Sequence, residues 1–250
     1  MRRTHLLILL LLFAFPFCEA TYAAGTLNWT DRARRLTGES DRVRAEEIAG
    51  LRTMPGIEDA LRKALGTRDQ FLAFDVIVAL GLNVFVPDLM EFSERDPTGY
   101  AYHALNAVAL GADRAKVLAL YRRRIRNRDL APVAKMTLLD SLARTAEEIS
   151  TSDLERLLAD RVPEVRMSAI GYLRNLILRS ARAGDVKLLA ERLGDPADRL
   201  RLQALSIFEE IPKPLRRTFG TPENLFSRCR NDRAYEVQIG CARIAREYAK

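Results

Sequence analysis

One pattern of apolar and small residues recurs six times along this chain. In each copy these residues occupy the fifth, ninth and thirteenth positions after an anchor residue, and successive anchors are 29 to 37 residues apart. The anchors are Thr67, Asp96, Asp129, Asp160, Asp195 and Asp232. Residues four positions apart share one face of an α-helix, so each copy predicts a helix with one buried face. A period of this length leaves room for a second helix and is typical of stacked helical hairpins.

A second helix is predicted between the leading helices. Apolar segments with helical spacing occur at 87–92, 115–121, 152–158, 186–193 and 222–226. Ser152 with Glu155 predicts a capping box, and Thr221 followed by Pro222 predicts a helix start. We therefore predict an all-α fold, an α-solenoid of stacked antiparallel helix pairs, with about six hairpins over residues 67–250 and a helical cap over residues 25–66. An irregular bundle of amphipathic helices is the alternative.

The first 24 residues have the composition of an export signal. Arg2 and Arg3 precede an apolar run of 12 residues, from Leu6 to Phe17, and small residues follow it. The run is too short to span a membrane, which takes about 20 residues. We therefore predict a signal peptide over residues 1–24, a periplasmic or secreted protein, and no stable membrane span after cleavage.

The copy that begins at Asp160 resembles the HEAT repeat, in the bacterial form related to phycocyanobilin-lyase-type proteins. It reads Asp160-x-x-Pro163-x-Val165-Arg166-x-x-Ala169-x-x-x-Leu173. The copy from Asp195 moves the proline to Pro196, and the copy from Asp232 has Gln238 where the arginine would stand. The resemblance implies a superhelix whose second helices line a concave face. It also implies two alternatives to a scaffold: a lyase-type enzyme or enzyme-associated subunit, and a nucleic-acid-binding solenoid if the leader does not direct export.

The densest charge cluster is a candidate partner site. The chain carries a net charge of +7, and arginines crowd residues 121–128 of a predicted second helix. If that helix buries its apolar face, then Arg122, Arg123 and Arg126 are exposed and suited to a protein or peptide partner, which could be acidic. The alternative is a charged helix end, where the helix dipole favours cations.

Sequence motifs for catalysis are missing from the chain. It contains no glycine-rich phosphate loop, no nucleophile elbow and no dinucleotide fingerprint. His103 is the one histidine beyond the leader, and a general base needs a positioned partner that the sequence does not identify. We therefore predict no catalytic residue, no metal and no cofactor. The predicted function is a non-catalytic scaffold or adaptor of the cell envelope that binds a partner protein, and not nucleic acid, on its concave face.

Cys229 and Cys241 could form a disulfide. Two cysteines remain after leader removal, and an exported protein meets an oxidising compartment. Cys241, however, occupies the ninth position of the last copy, where packing alone explains a small residue. The expected stagger of about 7 Å along antiparallel helices also strains the bridge. The sequence leaves both interpretations open.

Overall fold

The structure, a computed structural model, describes residues 28–37, 40–96, 98–145, 147–180, 182–212, 227 and 229–248. Over these ranges it contains thirteen α-helices and no strand, which confirms the predicted all-α fold. The predicted signal peptide and the predicted helix over 222–226, with its start at Thr221 and Pro222, lie outside the described residues.

The helices are numbered in chain order. They are α1 (Trp29–Leu36), α2 (Asp41–Arg52), α3 (Ile57–Ala64), α4 (Gln70–Leu80), α5 (Val86–Arg95), α6 (Tyr100–Val108), α7 (Gly111–Ile125), α8 (Pro132–Arg144), α9 (Thr151–Leu158), α10 (Pro163–Ser180), α11 (Ala183–Glu191), α12 (Asp198–Glu210) and α13 (Tyr235–Tyr248). Short 3-10 turns, Asn83–Phe85 and Arg192–Gly194, precede α5 and follow α11.

Each copy of the sequence pattern begins with a helix that buries the expected face. These leading helices are α4, α6, α8, α10, α12 and α13. In α10, for example, Val165, Ala169 and Leu173 are completely buried. Across all six helices, only Leu72 and Ala245 of the stripe residues stay partly exposed. The periodicity therefore identified the core-facing side of every leading helix.

Four repeats contain both helices within the described residues. They pair α4 with α5, α6 with α7, α8 with α9, and α10 with α11 along the chain. The fifth repeat contributes α12, and the sixth contributes α13. Upstream, α1 and α2 pack on each other and both contact α4, as a helical cap would. The described part of the chain thus has four complete hairpins where the sequence predicted about six.

Helix starts follow the sequence signals with one correction. Pro132 and Pro163 are the first residues of α8 and α10, where a missing N–H costs little. The predicted capping box at Ser152 is wrong, because Ser150 is the N-cap of α9. The Ser150 hydroxyl accepts from the backbone N–H of Asp153 at 3.1 Å. Two nearby serines with acidic residues three positions later made the sequence signal ambiguous.

The leading helices form one continuous row. Each contacts the next, from α4 through α6, α8, α10 and α12 to α13, and α1 extends the row through α4. Successive second helices contact each other much less. Of these pairs, α5 and α7 make the most extensive contact. Neighbouring helices lie closer together on the inside of a curved stack than on its outside. The leading helices are therefore the more closely packed row, whereas the HEAT resemblance predicted a concave face lined by the second helices.

A ladder of charged residues joins the last four repeats. The basic side chain six positions after one anchor reaches the anchor aspartate of the next repeat: Lys135 to Asp160, Arg166 to Asp195, and Arg201 to Asp232. Each of these aspartates also accepts from the backbone N–H two positions later. The arginine of the HEAT-like string thus holds neighbouring repeats together.

Arg166 makes the most complete contact of the ladder. Its Nε and Nη2 each donate to one carboxylate oxygen of Asp195 at 2.8 Å, and its Nη1 donates to the Asp160 carbonyl at 2.9 Å. The side chains of Arg166 and Asp195 are almost entirely buried. Gln238, which replaces arginine in the last repeat, donates to the carbonyl of its own anchor, Asp232, and makes no side-chain bond to an aspartate of the described residues.

Candidate functional site

One position on each leading helix is exposed in all six repeats. It is the fourth position after the anchor, which lies on a different side of the helix from the ninth position. At the fourth position the six repeats carry Phe71, Tyr100, Val133, Glu164, Arg199 and Glu236 in order, all exposed. This position is therefore apolar or aromatic in the first three repeats and charged in the last three.

Four exposed residues on α4, α6 and α8 form what we call the apolar patch: Phe71, Val78, Tyr100 and Val133. They are exposed for 40% to 56% of their surface, although each is apolar or aromatic. The Phe71 and Tyr100 rings meet edge to face, with centroids 5.0 Å apart. Clustered apolar exposure of this kind marks an interaction surface more often than scattered residues do.

A glycine brings α6 and α8 together beside the apolar patch. Gly99, which precedes α6, has a φ of 75°, in the left-handed region that glycine adopts without strain. A Cβ at this position would lie 2.9 Å from the Cα of Ala134, the neighbour of Val133. The close approach therefore places the start of α6, which carries Tyr100, against the first turn of α8, which carries Val133.

A groove of about 330 Å³ opens beside the apolar patch, between the N-terminal cap and the first leading helices. Its lining is mainly apolar and includes Leu36, Phe74, Val78 and Tyr100. The lining also contains three ionisable side chains, Arg44, Asp75 and His103. A volume of this size accommodates a side chain or a short segment of a partner, not a folded domain.

Asp75 is the acidic side chain of the groove. It is half-buried on α4, and burial raises the pKa of its carboxyl above the ordinary value. Its carboxylate makes no hydrogen bond or ion pair with any residue that the structure describes. A carboxylate in an apolar wall without a partner is stabilised by any cation that binds next to it.

The other two ionisable residues leave the groove without a catalytic pair. Arg44 is already engaged, because its Nε donates to the Leu36 carbonyl at 3.1 Å and its Nη1 lies 3.8 Å from Asp41. His103 is exposed, with its ring edge to face with Tyr100. His103 and Asp75 line the same groove, but no hydrogen bond joins them.

The three arginines predicted as a partner site are exposed and already paired. Arg122 pairs with Glu147 and Arg123 pairs with Glu94, while the Nε of Arg126 lies 3.6 Å from Asp153. Helix α7 ends at Ile125, so Arg126 follows the helix as its C-cap. These ion pairs connect α7 to elements beside it, which gives the cluster a role within the fold.

Metal-binding clusters and membrane-spanning helices are absent from the described ranges. No group of three or more His, Cys, Asp and Glu side chains there could hold a metal ion. None of the helices in the same ranges has both the length and the apolar character needed to cross a membrane.

The two cysteines form a disulfide in the structure. Cys229 and Cys241 have Cα atoms 5.9 Å apart, and both residues are buried. The separation is shorter than the expected stagger along two antiparallel helices, because Cys229 lies in a turn and not on a helix opposite α13. The bridge therefore fastens the turn that precedes the last repeat to the leading helix of that repeat.

Comparison with known proteins gives no family: no family model matches the chain, and no characterised protein matches it. The HEAT resemblance consequently rests on the sequence pattern alone.

Sequence reasoning missed the apolar patch and Asp75. A signal was present, because Phe71, Tyr100 and Val133 fall four positions after consecutive anchors, one position before the buried stripe begins. Aligning the repeats on their anchors shows an apolar column at that position in three repeats and charged residues in the other three. Such a column, on the face away from the stripe, indicates a surface and not a core.

Proposed function

We propose that the protein is a non-catalytic binding scaffold whose docking surface is the apolar patch and its adjoining groove. The observation that carries the proposal is the exposure of Phe71, Tyr100 and Val133 at equivalent positions of three consecutive leading helices. A repeated apolar position on the row of closely spaced helices suits a partner segment that runs across several repeats.

The assignment to the leading helices replaces the sequence-based choice of Arg122, Arg123 and Arg126. Those arginines are paired with carboxylates of the chain itself, so a partner would have to compete with Glu147, Glu94 and Asp153. The same pairing weighs against nucleic acid, which requires basic side chains free to meet phosphates. An adaptor of the cell envelope, acting after export, is the setting we propose for this scaffold.

Loss of the apolar patch should abolish partner capture while loss of the arginine cluster should not. In one variant Phe71, Tyr100 and Val133 are replaced by serine; in the matched variant Arg122, Arg123 and Arg126 are replaced by glutamine. Because all six side chains are exposed, both variants should fold. Quantitative affinity purification from the native compartment, with circular dichroism to check folding, should show at least a tenfold loss of co-purified partner for the serine variant alone.

The reverse result would indicate that the partner binds the arginine cluster. If the glutamine variant loses its partner and the serine variant keeps it, the apolar patch is not the docking surface. If both variants keep the same partner in full, neither surface binds it.

A further inference from the structure

We propose that the groove selects a partner segment in which one basic side chain, lysine or arginine, is flanked by apolar residues, and that Asp75 is the residue that recognises the basic group. This inference rests on the proposed function and specifies the chemistry of its partner. The argument depends on the charge that the groove leaves uncompensated and on the apolar walls around it.

The carboxylate of Asp75 is the only charge of the groove that lacks a counter-charge among the described residues. Arg44 has Asp41 and a backbone carbonyl as partners, and its charge is therefore partly balanced. A neutral apolar ligand would cover Asp75 and remove its water without supplying a hydrogen bond, which is unfavourable. An acidic ligand would add repulsion, whereas a basic ligand replaces the lost water with an ion pair.

The walls of the groove fit the stem of a basic side chain. Phe74, Val78 and Ala79 present apolar surface along which the methylene groups of lysine or arginine can lie while the charged end reaches Asp75. Tyr100, exposed beside Phe71, adds an aromatic face, and aromatic faces attract cations. The Asp75 carboxylate and the Tyr100 ring thus both favour a positively charged ligand group.

The net charge of the protein limits how basic the partner segment can be. The chain carries +7, so a strongly basic segment would be repelled as it approached. At physiological salt this repulsion is screened beyond about 8 Å, and contact with Asp75 then decides the interaction of a single cation. The partner segment therefore carries one basic residue among apolar ones, not a basic run.

Binding of three blocked peptides tests the charge preference directly. The probes are acetylated and amidated pentapeptides of sequence Ala-Leu-Xaa-Phe-Ala, with arginine, glutamine or glutamate as Xaa. NMR titration of the full chain can follow the ring signals of His103, because the one other histidine is His5 in the leader. The arginine peptide should bind at least tenfold more tightly than the glutamate peptide, with glutamine between them.

Two variants locate the source of that preference. Asp75→Asn keeps the shape of the side chain and should weaken the arginine peptide about tenfold, so that the three peptides bind alike. Asp140→Asn is the control, since Asp140 is exposed on α8, on the equivalent face and outside the groove, and it should leave all three affinities unchanged.

Each outcome separates this inference from the proposed function. Equal binding of the three peptides to the unmodified chain, or an unchanged preference in Asp75→Asn, would overturn charge selection while the docking surface stands. Binding of none of the peptides at millimolar concentration would overturn both the selection and the groove as a docking site.

Discussion

Replacing Arg166 with alanine is expected to destabilise the fold by about 3 kcal/mol, lowering the thermal midpoint by about 10 °C. The substitution leaves the buried Asp195 carboxylate with the backbone N–H of Ala197 but without its guanidinium partner. Removing one partner of a buried ion pair typically costs 3 to 5 kcal/mol. We expect the lower value, because a solvent-open groove beside Asp160 and Asp195 lets water reach the uncompensated charge.

Arg199→Ala is the matched control for Arg166→Ala. Arg199 also reaches across one repeat boundary, where it pairs with Glu164 of the preceding repeat, but both side chains are about half exposed. An exposed pair contributes little to stability, so the midpoint of this variant should be nearly that of the unmodified chain. Calorimetry of the unmodified chain, Arg166→Ala and Arg199→Ala measures the three thermal midpoints. Similar midpoints for Arg166→Ala and Arg199→Ala would mean that the ladder does not hold the repeats together.

The effect of Arg166→Ala should depend on pH. Burial raises the pKa of Asp195, but hydrogen bonds from Arg166 and from the backbone N–H of Ala197 outweigh burial and hold this pKa below its ordinary value. An unfolded aspartate titrates near pH 4. The stability from this group is therefore complete above about pH 4 and is lost as pH falls through the lower pKa of the folded state. The difference in stability between the unmodified chain and Arg166→Ala should therefore shrink below about pH 4.

Breaking the disulfide is expected to lower the free energy of unfolding by about as much as Arg166→Ala does, about 3 kcal/mol. Cys229 and Cys241 are 12 residues apart in sequence, and closing a loop of that length restricts the unfolded chain by about 3 kcal/mol. Cys241→Ala removes the bridge and places alanine at the ninth position of the repeat, where Ala169 and Ala204 stand in two other copies. The thermal midpoint of this variant should fall under oxidising conditions.

Reduction provides the control for the disulfide prediction. A reductant should lower the midpoint of the unmodified chain to near that of Cys241→Ala and should leave the midpoint of the variant unchanged. If the reductant has no effect on the unmodified chain, the bridge does not stabilise the last repeat.

The buried stripe could be predicted because its signal is local. Val165, Ala169 and Leu173 lie within one helix, and their spacing alone defines a face. The partner of Arg166 was not predictable in the same way, since Asp195 is 29 residues away and the pairing depends on which helices are neighbours. The sequence motif was visible, but its role in joining repeats required the packing.

The candidate site illustrates the same limit. Asp75 and His103 belong to different helices, and the groove that brings them together exists only after α4 packs against both the cap and α6. The ion pairs of the arginine cluster were not predictable for a related reason: exposure of Arg122 followed from helix periodicity, whereas its carboxylate partner, Glu147, comes from a separate segment. Helical periodicity predicts which side chains are exposed but not which exposed charges are already paired.

The central claim is that a partner docks on the leading helices of the first three repeats. A photo-reactive amino acid introduced at Val133 or at Arg123 tests it in the native compartment, because both side chains are well exposed and lie on different rows of helices. We expect a discrete crosslinked product from position 133 that disappears when Tyr100 is replaced by serine, and no such product from position 123. A product from position 123 alone, insensitive to the Tyr100 substitution, would contradict the account.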